Sequence, residues 1–189
     1  MDRYIEITVL PDLEADASFL MNNLCSKLHA VLGQVTMGKV GVSFPGYAQA
    51  GKNLGTKLRI HGSAIMLEKL MAENWLKGLR DYSQCSAVLP VPTDAKQRYF
   101  ARRQLKSAYN KQQRSVSKGW LTQEEAVVQI SEQSSRLLKL PFIQLTSRGN
   151  KQQMKVFIEQ GPIVDHPTKG GFNSYGLSRL SEKVTVPWF

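Results

Sequence analysis

"RYIEITVLPDLEADASFLMNNLCSKLHAVLG", residues 3–33, changes its period halfway along. Residues 3–10 alternate polar and apolar side chains, as a strand with one buried face does. Residues 17–33 place Leu20, Leu24, Leu28 and Val31 on one stripe of a helix, with Gly33 as the stop. "KVGVSFP" (39–45) and "KLRIHGS" (57–63) then read as strands joined by a glycine-rich loop. A second helix, "AIMLEKLMAENWL" (64–76), and a further strand, "DYSQCSAVLPV" (81–91), complete the order β-α-β-β-α-β. That order predicts an α+β fold whose N-terminal domain, residues 1–93, is ferredoxin-like, the layout also of small RNA-binding (RRM-like) domains.

The turn-forming "VPTDA" (91–95) marks the boundary to a second domain, residues 94–189. This domain opens on a basic extended stretch and continues into a polar helix near residues 108–118. A helix beginning at Thr122 follows, where Thr122 and Glu125 have the spacing of a capping box. The strands "PFIQLTS" (141–147) and "MKVFIEQG" (154–161) come next, then a glycine-rich loop and "VTVPWF" (184–189).

Charge separates the two halves. The chain has 189 residues, 42% of them hydrophobic, and a net charge of +10. Residues 1–94 carry nine acidic and nine basic side chains, whereas residues 95–189 carry six acidic and sixteen basic. Between Ala95 and Gln123 there are eight Lys or Arg and no acid. A balanced half beside a strongly basic one predicts a surface for a polyanion, most often nucleic acid. No run is long enough to span a bilayer, and the N-terminus lacks the basic-then-apolar order of a signal peptide, so a cytoplasmic protein without membrane partners is expected. Cys25 and Cys85 have no metal-ligand spacing and are expected to be buried free thiols.

Two familiar chemistries are excluded. "GYAQAGKN" (46–53) approaches a phosphate-binding loop, but Asn53 replaces the magnesium-binding Ser or Thr, and a strand follows instead of a helix, so no nucleotide cofactor is expected. A metal-dependent nuclease needs a cluster of carboxylates, and the sequence offers none. Of the three histidines, His61 lies within a strand and His166 in a proline-containing loop. His29 shares a polar stripe with Asn22 and Ser26 beside the apolar one, near the predicted helix end, where the helix dipole favours a protonated imidazole. Taken locally, this reads as a surface histidine.

"VGVSFP" (40–45), "LPFIQLTS" (140–147), "GGFNSYGLS" (170–178) and the terminal "VPWF" (186–189), in this order after His29 in the first helix, resemble the type I-F CRISPR-repeat endoribonucleases. Those enzymes cut precursor CRISPR RNA beside each repeat hairpin. The resemblance runs from "MDRYIEI" to Phe189. It implies the N-terminal ferredoxin-like domain and a divergent ferredoxin-like C-terminal domain whose basic helix enters the hairpin's major groove. It also implies a cut that needs no metal or other cofactor, in which the RNA's own 2′-hydroxyl attacks the adjacent phosphate. The partners implied are the repeat stem-loop and the other subunits of a CRISPR interference complex.

By the same resemblance His29 and Ser147 are catalytic, and Tyr175 supports Ser147. An imidazole titrating near pH 6.5 serves as base or acid, and a serine hydroxyl can hold the 2′-hydroxyl or its ribose. Arg102 and Gln104 match the residues that read base edges, Arg on guanine and Gln on adenine; spaced two apart, an extended backbone turns both to one face. Arg103 and Lys106 are expected to bind the RNA as well, and Lys111, Arg114 and Lys118, along one helical face, to grip its backbone phosphates. Met154 stands where relatives can carry a phenylalanine that stacks on the terminal base pair. A non-catalytic hairpin-binding subunit using the same basic surface is the alternative.

Overall fold

The computed structural model describes residues 1–104, 108–129, 139–146 and 153–189. They form two units, Met1–Arg103 with Leu140–Phe189, and Gln104–Lys139.

The first unit begins with β1 (Arg3–Val9), α1 (Ala17–Thr36), β2 (Gly41–Ser43), β3 (Lys57–Gly62), α2 (Ala64–Ala72), β4 (Ser83–Cys85) and β5 (Leu89–Pro90). The sheet order is β2-β3-β1-β4, with β5 also on β1, and every pairing is antiparallel. The alternation of the opening stretch sets the register: Ile5 faces Ile60 and Ile7 faces Leu58, all fully buried. The expected strand 81–91 is split in two. The Ser86 hydroxyl, not a backbone carbonyl, accepts the Glu6 amide at 2.9 Å, which interrupts the ladder between β4 and β5.

Asp16 caps α1 by accepting the Phe19 amide at 2.7 Å. Gly33 does not stop this helix, which runs on to Thr36 and ends where Met37 turns left-handed. An interior glycine weakens a helix by about 1 kcal/mol. Here the burial of Leu32 and Thr36 around it offsets that loss. Leu32, not Val31, completes the buried row with Leu20, Leu24 and Leu28; Val31 is only partly buried. Helix α2, by contrast, ends before the expected residue 76, at Ala72, yet Trp75 and Leu76 still fill the core from the turn that follows.

The rest of this unit contributes β6 (Lys96–Arg98), β7 (Phe100–Arg103), β8 (Phe142–Thr146), β9 (Gln153–Gln160) and β10 (Val186–Trp188). Strands β7, β9 and β8 form one sheet in that order, and β10 pairs with β6. Their inward side chains, among them Phe100, Ile143, Val156 and Val186, join the same apolar core as the first sheet. Phe44 meets Phe100 edge to face at 5.8 Å, and the Tyr47 hydroxyl donates to the Ile158 carbonyl at 3.0 Å.

Residues 46–53 fold back on themselves, Ala48 bridging Asn53, and lead into β3 with no intervening helix. Cys25 is buried, and desolvation pushes its thiol up to about 12, whereas Cys85 is exposed, contrary to expectation, because β4 lies at the edge of its sheet. His61 is fully buried, its Nε2 2.8 Å from the Ser43 hydroxyl. Burial, with Arg59 nearby, lowers its pKa to about 3, so it is a neutral core histidine. No helix among the described residues is long and apolar enough to cross a membrane.

The second unit holds α3 (Ala108–Ser117) and α4 (Gln123–Gln129). The Trp120 amide bonds back to the Ser115 carbonyl (3.0 Å) and the Gly119 amide to that of Val116 (2.9 Å), closing α3 in the Schellman manner. The predicted capping box forms: the Thr122 amide donates to Glu125 at 2.8 Å, and the Glu125 amide to the Thr122 hydroxyl at 3.2 Å.

Candidate active site

His29 sits on the flank of α1, between the buried Leu28 and Leu32 on one side and solvent on the other. Its Nδ1 lies 2.8 Å from the backbone carbonyl of Ser174. A carbonyl only accepts, so Nδ1 carries the hydrogen and Nε2 is the nitrogen left to exchange protons. The ring lies flat on Tyr175, centroids 4.1 Å apart and planes 12° apart. Thr36 ends the helix seven residues beyond His29, about two turns away, so His29 stands before the last turn.

The loop that meets His29 is built by "FNSYGL", residues 172–177. The Asn173 side-chain oxygen accepts the amides of Tyr175 (2.9 Å) and Leu177 (3.2 Å). The Asn173 carbonyl accepts the Gly176 amide, and its own amide donates to Leu177. Gly176 takes a φ of 72°, and a Cβ there would come within 2.8 Å of Val42; only glycine fits. Its carbonyl accepts the Val42 amide at 2.9 Å, which docks the loop on the edge of β2. On the other side the loop lies against Gly33 of α1, where a Cβ would make ordinary contact with Ser174 at 3.4 Å.

Arg102, on β7, completes the cluster. Its guanidinium lies over the Tyr175 ring, 5.2 Å from the centroid, and its Nη2 donates to the Met154 sulfur at 3.7 Å. The fold thus gathers His29, Tyr175, Arg102 and Met154 from one helix, one loop and two strands. These four are far apart in sequence. Ser147 and Lys106 lie outside the described residues. Arg103 is tied to Glu159 by an ion pair of 2.8 Å. In the second unit Gln104, Arg114 and Lys118 are exposed and Lys111 lies within α3. The Lys118 ammonium stands 5.2 Å from the Trp120 ring centroid. Among the described residues no group of three or more His, Cys, Asp or Glu side chains could hold a metal ion.

Residues 4–189 match the family described as CRISPR-associated protein (Cas_Csy4). The chain belongs to this family. Among its relatives is the CRISPR-associated endonuclease Cas6/Csy4 of Escherichia coli (strain UTI89 / UPEC), 46% identical over the whole of both chains. The protein of the same name from Pseudomonas aeruginosa (strain UCBPP-PA14) is 40% identical, again over both full lengths. The motifs that pointed to CRISPR-repeat endoribonucleases therefore carried a Cas_Csy4 relationship that spans the chain.

Two participants escaped the sequence reading: the Ser174 carbonyl and Asn173. An asparagine two residues before a tyrosine-glycine pair is a turn signal that marks the Asn173 loop. The carbonyl has no side-chain signature at all.

Proposed function

We propose that the protein is a metal-independent endoribonuclease that binds a CRISPR repeat stem-loop, cuts precursor CRISPR RNA at the 3′ side of the hairpin, and retains the product. The endonuclease name of both relatives and the setting of His29 support this reading. The observation that carries it is the imidazole held by the Ser174 carbonyl and the Tyr175 ring, with Nε2 left for proton exchange.

The 2′-oxygen forms a bond to the adjacent phosphorus while the bond to the 5′-oxygen breaks. The 2′-hydroxyl proton leaves to a base, and the 5′-oxygen gains one, giving a 2′,3′-cyclic phosphate and a 5′-hydroxyl. His29 serves one of these proton transfers through Nε2. Ser147 holds the 2′-hydroxyl or its ribose, and Tyr175 positions the catalytic groups. Arg102 and Gln104 read base edges near the cut, next to Met154, while Arg103, Lys106, Lys111, Arg114 and Lys118 hold phosphates.

The sheet order β2-β3-β1-β4 supports a ferredoxin-like architecture for residues 1–93, which carry the His29 helix. Residues 94–189, a second and divergent ferredoxin-like domain, supply the cations for RNA. A cytoplasmic complex with other CRISPR subunits is the setting this function implies.

Cleavage of the host's repeat hairpin in EDTA tests the proposal. Wild-type protein cuts, His29→Ala binds with near-normal affinity but does not cut, and a 2′-deoxy substitution before the scissile phosphate blocks cutting without weakening binding. A magnesium requirement, or efficient cutting of the deoxy substrate, refutes the mechanism. Tight binding by wild-type protein with no cut at all favours the non-catalytic hairpin-binding subunit.

A further inference from the structure

We infer that Asn173 is a positioning residue for the reaction, and that it acts by fixing which nitrogen of His29 faces the substrate. The inference rests on the proposed catalytic role of His29.

The argument begins with what holds the Ser174 carbonyl in place. Ser174 is exposed, and it is its backbone carbonyl that meets His29. A carbonyl in an exposed loop points wherever its two flanking peptides turn it. Here both flanks are tied to Asn173. Its Oδ1 gathers the amides of Tyr175 and Leu177, and its carbonyl takes the Gly176 amide at 2.9 Å. The side chain thereby closes a small ring of hydrogen bonds with Ser174 at its apex.

One side chain thus controls both contacts of the imidazole. The Ser174 carbonyl selects the Nδ1–H tautomer, and the Tyr175 ring sets the plane in which the imidazole lies. With Nδ1 occupied, Nε2 is the proton-exchanging atom; without that bond the ring is free to place its hydrogen on either nitrogen. The bonds of Asn173 run to the backbone of Tyr175, Gly176 and Leu177. Its effect passes entirely through the peptide of Ser174 and the ring of Tyr175.

The test reads the imidazole first and the reaction second. In RNA-free protein with 15N-labelled histidine, at a pH where His29 is neutral, long-range proton–nitrogen spectra of the wild type should show hydrogen on Nδ1. Asn173→Ala should give a mixture of tautomers and slow single-turnover cleavage roughly ten- to a hundredfold, with hairpin Kd unchanged. Asn173→Asp keeps the acceptor for both amides and should restore the Nδ1–H signature; because this is read without RNA, the added charge does not repel phosphate in the measurement. Asn173→Ser, with a shorter acceptor, is read in the same way if the alanine variant does not fold. A variant lacking the side-chain acceptor that keeps both the wild-type tautomer and the wild-type rate overturns the inference, as does a slowed rate with the tautomer intact. If His29→Ala cuts like wild type, the catalytic reading itself fails, whatever Asn173 does to the spectra.

Discussion

Replacing Tyr175 by Ala removes the plane against which His29 lies. Two contacts disappear with the ring: the parallel stack on His29 at 4.1 Å, and the Arg102 guanidinium at 5.2 Å. A ring pair of this kind contributes about 0.5–1.5 kcal/mol and a partly exposed cation over a ring about 0.5–1 kcal/mol, so their sum is about 1–2.5 kcal/mol. If the whole of it serves to hold the imidazole in its reactive pose, single-turnover cleavage slows roughly 5- to 70-fold. Tyr175→Phe keeps both faces of the ring and should stay near the wild-type rate. The assay is cleavage of a labelled repeat hairpin with protein in saturating excess, so that binding does not enter the rate. A phenylalanine variant as slow as the alanine variant would show that the hydroxyl carries the effect, returning Tyr175 to the role of holding Ser147. A wild-type rate for Tyr175→Ala would refute the positioning argument altogether.

His61 gives a pH dependence of stability. Its pKa is depressed by burial from 6.5 to about 3, so it stabilises the fold fully above pH 6.5 and progressively less as the pH falls toward 3. The slope reaches about 1.4 kcal/mol per pH unit, or about 2 kcal/mol between pH 7 and pH 5. Urea unfolding at those two values should show it, and His61→Gln should remove most of it. Glu6 does not confuse the measurement. Burial raises its pKa, but hydrogen bonds from Lys57 and Arg59 outweigh this and hold it below 4.5, so its contribution is lost only at lower pH. Arg102→Ala should weaken binding by about 1–3 kcal/mol and relax preference at one base pair, whereas Arg114→Ala should weaken all hairpins alike and lower the salt slope by about one unit or less. Binding to matched and stem-swapped hairpins at several salt concentrations decides between them, and a uniform loss from Arg102→Ala would reduce that residue to a phosphate contact.

The order of elements was legible because periodicity is a local property. Alternation at Ile5, Ile7 and Val9 needs no knowledge of the partner strand to announce one buried face. The Thr122–Glu125 capping box was readable for the same reason, as both of its hydrogen bonds close within one turn. Charge asymmetry is also additive along the chain, so the basic half declared itself without a fold. Errors arose where a local signal met a distant neighbour. Gly33 looks like a helix stop, yet the packing of Leu32 and Thr36 into the core carries the helix past it. The strand after α2 reads as continuous until the Ser86 hydroxyl meets Glu6, eighty residues away.

The candidate site divides along the same line. Sequence alone nominated His29, Tyr175, Arg102 and Met154, through a resemblance to a family whose model matches residues 4–189. What those side chains do to one another was decided only by the tertiary structure. The proton on Nδ1 of His29 is set by a backbone carbonyl 145 residues further along, and a carbonyl is common to every residue, so no sequence pattern can single it out. The arginine expected to reach for a base rests over the tyrosine that stacks on the histidine, because β7 and the 172–177 loop converge beside α1. Motifs name chemical groups, but the orientation of an imidazole depends on contacts between segments that only folding brings within hydrogen-bonding distance.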